Sequence, residues 1–210
     1  MIRVELRDAA VGRGPAAALP PTSTAYRSGS VTVVVTEGEQ RSVVLSLVAA
    51  GRMKTDGGTV TPAGLAPRVA LVDTPGVAEH PADVRVATVV REELALAGRH
   101  GAARELARLG LADWARRPFG ALPAADRIRM LAELALLRPG VEALIVTSPE
   151  RHGGDPLVWF RTLRQLAARG IAVLVVTDAA TARALAEVAG PSGSPFSGAY
   201  DVPLFESTWS

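Results

Sequence analysis

The chain has 210 residues, 48% of them hydrophobic and only 4% aromatic. That is enough for one domain with an aliphatic core, and it excludes a disordered or fibrous chain. The formal charge is +2, with no basic run and no aromatic stripe among the arginines, so no nucleic-acid partner is expected. Cysteine is absent, which excludes disulfides and thiolate chemistry and suits an intracellular protein. No apolar run reaches the ~20 residues that span a bilayer, so no direct membrane insertion is expected.

Ile2–Leu6 alternates like a strand and does not read as a signal peptide. A loop rich in Pro, Gly and Ala is predicted to follow, through Pro20 and Pro21. The β-branched run Val31–Val35 predicts a buried strand. Residues Ser42–Ala50 predict a helix ending at Gly51, Gly57-Gly58 a turn, and Val69–Val72 a second buried strand. From Pro81 to about Arg138 the pattern becomes helical, with Val86, Val89, Val90 and Leu94 on one face and Ile128, Leu131 and Leu134 on another. Ala143–Val146 and Ile171–Val176 are predicted strands. Between them Asp155 is placed to cap a helix with Pro156 at its first position, and Asp178 caps another over residues 179–189. A Pro/Ser/Gly loop over 190–198 and an edge strand over Tyr200–Phe205 complete the reading. Strands alternating with helices imply a mostly parallel sheet flanked by helices on both faces.

The order of these pieces resembles the ATP-binding subunits of ABC transporters. The resemblance rests on framing segments: Gly29–Val35 is similar to "GEVVALVG", Ala50–Val60 to "AGLLKPDSGTV", Leu109–Leu122 to the approach to the signature motif, and Arg169–Thr177 to "RGVAVVVVTH". It implies an α/β fold like that of P-loop NTPases. The core would comprise 1–77 and 140–210, with an inserted ABC-type helical subdomain over 78–139.

The family's working residues fare differently. A phosphate loop needs G-x-x-x-x-G-K-[ST], where glycines let backbone N–H groups close on phosphate, lysine adds charge and the hydroxyl holds Mg²⁺. The matching positions are Thr36, Glu37, Gly38, Glu39, Gln40, Arg41, Ser42 and Val43. Thr36 and Arg41 stand at the glycines, Ser42 at the lysine and Val43 at the hydroxyl. Lys54, the only lysine, follows Met53, with Val48 at the earlier glycine position, and cannot replace it. The strand that should end in Asp-Glu runs into Thr147 and Ser148. The signature stretch reads Leu122-Pro123-Ala124-Ala125-Asp126, Asp178 replaces the switch histidine, and Asp73 or Thr74 stands for the Q-loop glutamine. Asp155 remains at the D-loop position. Glu37 and Glu39 are expected to satisfy the free N–H groups of the first helix, with Arg41 pairing with either.

The resulting expectation is a non-catalytic structural or regulatory subunit with no cofactor and no metal. Its partner would be a permease-like membrane protein or a second cassette subunit, in a dimer if the latter. The location would be cytoplasmic, at the inner face of the cytoplasmic membrane. The alternatives are a weakly ATP-binding subunit active only in a heterodimer, and a free-standing adaptor. The docking surface falls on Asp73, Thr74, Pro75, Gly76 and Val77, with Val84 nearby. Asp73–Gly76 also matches a GTPase switch, but without the guanine-reading N-K-x-D it reads as a strand-ending turn. His80, His100 and His152 lack metal spacing. His152 with Asp155 forms a conceivable proton-transfer pair that lacks a nucleophile. Trp114 and Trp159 are expected to pack in the core and Trp209 to lie in a polar tail, while Arg127 and Arg129 read as a solvated face.

Overall fold

The computed structural model describes residues 1–189. The expected loop over 190–198, the strand over Tyr200–Phe205 and Trp209 lie outside the described residues.

Two sheets form. Strands β1 (Arg3–Val11), β2 (Leu19–Arg27) and β4 (Gly57–Thr61) make an antiparallel sheet in the order β2-β1-β4. Strands β3 (Val31–Val35), β5 (Val69–Val72), β6 (Ala143–Thr147) and β7 (Ala172–Thr177) make a parallel sheet in the order β3-β7-β6-β5. The register pairs Val33 with Val175, Leu174 with Ile145, and Ile145 with Leu71. The four predicted buried strands therefore lie side by side in one parallel sheet.

The antiparallel sheet was not fully expected. Pro20 and Pro21 do not prevent β2, because it is an edge strand and neither proline is directly paired with a β1 residue in the register. The pairing shifts register between Leu6 and Ala9 and again before Val11, which absorbs the irregular start of β2. The Gly57-Gly58 pair opens a strand instead of making a turn. Gly58 has φ +69, and a Cβ there would lie 2.2 Å from the Arg7 and Asp8 carbonyl oxygens, so only glycine lets β4 approach β1.

The helices are α1 (Glu39–Ala49), α2 (Val86–Leu96), α3 (Ala102–Arg108), α4 (Ala124–Ala135), α5 (Pro156–Ala168) and α6 (Ala179–Ala189). Helix α1 begins three residues before the expected Ser42. Asp155 caps α5 by accepting from the Leu157 N–H at 2.9 Å, and Asp178 caps α6 by accepting from the Thr181 N–H at 2.6 Å.

The period of two along each parallel strand divides the core. Val33, Val72, Leu144, Val146, Val173 and Val175 face α2, α4, α5 and α6. Val34, Leu71, Ile145, Leu174 and Val176 face α1 and the antiparallel sheet. Each fully buried aliphatic chain contributes about 1.5–3 kcal/mol, so the sheet is stabilised from both sides. Trp159 is buried and Trp114 half-buried in the first cluster. The helices between β5 and β6 belong to that same cluster, and α4 lies directly on β5 and β6. Among the described residues, no helix is long and apolar enough to cross a membrane.

Candidate functional site

In open α/β sheets, ligands are bound beyond the carboxyl ends of the strands. At that edge β3 passes into α1 through only Thr36, Glu37 and Gly38. Gly38 takes φ 80 as the helix N-cap, and no side chain caps α1. Glu37 and Glu39 therefore do not perform the expected capping. Glu37 instead pairs with Arg41 at 3.7 Å, and Glu39 and Gln40 point to solvent.

The hydroxyls here have a single consistent direction, because each carries one proton. Ser42 donates to the Gly38 carbonyl at 3.2 Å, so Thr36 donates to Ser42 at 2.6 Å. Ser46 donates to the Ser42 carbonyl at 2.8 Å. Ser46 must then accept from Thr147 at 2.8 Å, and Thr147 from Thr74 at 2.9 Å. A buried chain of hydroxyls thus joins α1, β6 and the end of β5. Val43 is half-buried and offers no polar atom.

Beside this chain lies an ionic cluster. Asp73 follows β5 with φ +54, and Ser148 follows β6 with φ +48, both in the left-handed region where non-glycine residues are rare. The Asp73 side chain is 3% exposed and that of Arg127 on α4 is 4% exposed. Arg127 donates twice to Asp73, from Nε at 2.7 Å and Nη2 at 2.9 Å, and lies 4.0 Å over the Phe119 ring. Arg151 Nη2 approaches the same carboxylate at 3.1 Å and His152 Nε2 at 2.7 Å. The His152 contact is an ion-pair approach without hydrogen-bond alignment, and that buried nitrogen has no aligned acceptor. Burial alone would raise the Asp73 pKa, but His152, Arg127 and Arg151 together hold it far below the usual carboxylate range.

Thr74 turns the chain by accepting from Val77 and Ala78 N–H, as expected for this motif. Pro75 is buried, Gly76 is exposed and Val77 is 49% exposed. Glu79 then spans two donors, Arg151 Nη2 at 3.2 Å and the Gly76 N–H at 3.2 Å. His80 meets Glu93 at 3.0 Å and Glu92 at 3.4 Å, and its hydrogen bond to Glu93 raises its pKa. Glu93 in turn accepts from Arg138 at 2.6 Å. Gly76, Val77, Glu79 and His80 border a cleft of about 460 Å³ that Pro81, Ala82, Gly120, Arg127 and His152 complete.

Several expectations need correction. Arg127 is a buried ion-pair partner, not part of a solvated face. It falls on the apolar stripe of α4 with Ile128, Leu131 and Leu134, and that misplaced charge was the readable signal. His152 pairs with Asp73 and not with Asp155, which is committed to its cap. Val84 packs against the core and is not an exposed docking residue, whereas Val77 is exposed. Arg151 gave no sequence signal, because its partner Asp73 is remote in the chain.

No protein-family model and no curated protein matches the chain. Solved structures do. An ATP-binding cassette of an ABC transporter superposes with TM-score 0.60 at 18% identity, covering 85% of this chain and 82% of that one. An ABC transporter ATP-binding protein from Pyrococcus furiosus gives 0.61 at 14% identity, covering 84% and 92%. The cbiO1 protein from Clostridium perfringens, part of the ABC transporter complex cbiONQ, gives 0.59 at 16%, covering 83% and 78%. Across most of its length this chain has the fold of an ABC transporter ATP-binding cassette.

Proposed function

We propose that this chain is a non-catalytic member of the ATP-binding cassette class, serving as a structural or regulatory partner of a membrane transporter. The observation that carries the reading is the state of the strand ends. Three residues join β3 to α1 where a phosphate loop would have to wrap, and Glu39, Gln40 and Arg41 are already helical. The Ser42 hydroxyl is committed to Gly38, and Val43 cannot hold a cation. Thr147 and Ser148 supply no carboxylate for Mg²⁺ or for an attacking water. These residues do not fit Mg²⁺-ATP.

In this reading residues 1–77 and 140–189 form the core and 78–139 the inserted helical unit; the rest of the expected core range, 190–210, lies outside the described residues. The protein works in the cytoplasm, against a permease-like membrane protein or a second cassette subunit. Docking falls on the Asp73–Val77 segment, where Val77 gives an exposed apolar contact beside a polar cleft. The test is co-purification with membranes from cells that produce the protein. Wild type should sediment with membranes, and Val77→Asp should lose that association while keeping its far-ultraviolet circular dichroism. Unchanged association of the variant, or none by wild type, refutes the docking.

A further inference from the structure

The inner end of the cleft holds more positive charge than its buried carboxylate neutralises. Arg127 and Arg151 both face Asp73, so two guanidinium groups meet one buried carboxylate, with His152 also against it. The balancing charge is Glu79. Unlike Asp73 it is 39% exposed, and both of its contacts are 3.2 Å long, at the weak end of the hydrogen-bond range. Its two oxygens divide between two donors, one on the Arg151 guanidinium and the other on the Gly76 backbone N–H. Those donors form a two-point holder for a planar carboxylate.

We infer that the cleft is a binding site for a small carboxylate, and that Glu79 occupies its anion position until the ligand displaces it. Two further nitrogens, on Arg151 and His152, lack an aligned acceptor. Arg151 Nε is buried without an acceptor, and so is His152 Nε2 apart from its misaligned approach to Asp73. Val77, Pro81, Ala82 and Gly120 line the rest of the cleft and suit a short carbon chain. The volume of about 460 Å³ falls in the small-molecule range. A single negative charge matches the one that Glu79 gives up, whereas a phosphate dianion would bring two. The site goes beyond the docking reading and does not depend on it.

The chain's three histidines provide the assay. His80 and His152 border the cleft, and exposed His100 lies outside it as an internal control. The full-length protein is titrated with butyrate at constant ionic strength while the imidazole resonances are followed by NMR. About six heavy atoms imply an affinity in the millimolar range. The expected result is saturable shifts at His152 and His80 with none at His100. Glu79→Gln should tighten binding roughly two- to fivefold, the scale of an exposed ion pair. Arg151→Gln should weaken it about tenfold or more, as loss of a charged donor does. Shifts that stay linear, or follow His100, in both wild type and Glu79→Gln overturn the site. Inorganic phosphate binding as tightly as butyrate overturns the carboxylate assignment. A blocked glutamyl peptide binding much more tightly than butyrate overturns the small-molecule assignment.

Discussion

Replacing Arg127 with Met removes the cation that joins α4 to the end of β5 while keeping much of the side chain's bulk. Both members of the pair are almost fully buried, and two charge-assisted hydrogen bonds of 2.7 and 2.9 Å are lost together with the stacking on Phe119. Removing one partner of a buried ion pair costs about 3–5 kcal/mol, because the other is left uncompensated. Asp73 retains Arg151 and His152, so the lower end, about 3 kcal/mol, is expected. For a domain of this size that lowers Tm by about 6–12 °C. Asp73→Asn combined with Arg127→Met should cost less than the two single changes summed, with a coupling of about 2 kcal/mol. Thermal and urea unfolding followed by circular dichroism measure all three variants. A loss below about 1 kcal/mol for Arg127→Met, a value typical of surface changes, would refute the buried Asp73–Arg127 pair and return Arg127 to a solvated face.

The pH dependence of stability should have two limbs of opposite origin. The Asp73 pKa is lowered on folding, so its contribution is present above its unfolded value of about 4 and is lost as pH falls below that; urea midpoints for Asp73→Asn should show a flatter acid limb. The His80 pKa is raised, chiefly by Glu93, so its contribution is present below about 6.5 and is lost as pH rises through its folded value. His80→Gln should flatten only that second limb. At Gly120 an added Cβ would lie 2.8 Å from the Ala82 Cβ and 3.1 Å from its carbonyl oxygen, which already accepts the Gly120 N–H. Gly120→Ala should therefore cost about 1–3 kcal/mol by overpacking, read from the same urea curves.

How much of this was legible in the sequence depended on how local each signal is. The four parallel strands announce themselves as short, nearly continuous apolar runs, because both faces of that sheet are buried. Asp155-Pro156 and Asp178 mark helix starts through contacts with their own neighbours. Strand β2 was hidden by Pro20 and Pro21, whose usual meaning is reversed at a sheet edge, and β4 by a glycine pair needed for close approach to β1. The ionic cluster was the least legible part of the site. Asp73, Arg127, Arg151 and His152 arrive from three separate segments, and only the position of Arg127 on an apolar stripe hinted at its burial. The empty motif positions at 36–43 and 147–148 could be read residue by residue, but not the hydroxyl chain that links Ser42, Ser46, Thr147 and Thr74.

The most direct measurement is isothermal titration of the purified full-length protein with Mg²⁺-ATP. The strand ends hold hydroxyls already bonded to one another and offer no phosphate-wrapping loop, and the carboxylates beside them are engaged, Asp73 by Arg127 and Glu150 by the Thr177 hydroxyl. No binding isotherm is expected up to about 1 mM nucleotide, equivalent to an interaction weaker than about 4 kcal/mol. A clear isotherm with a micromolar dissociation constant would contradict it.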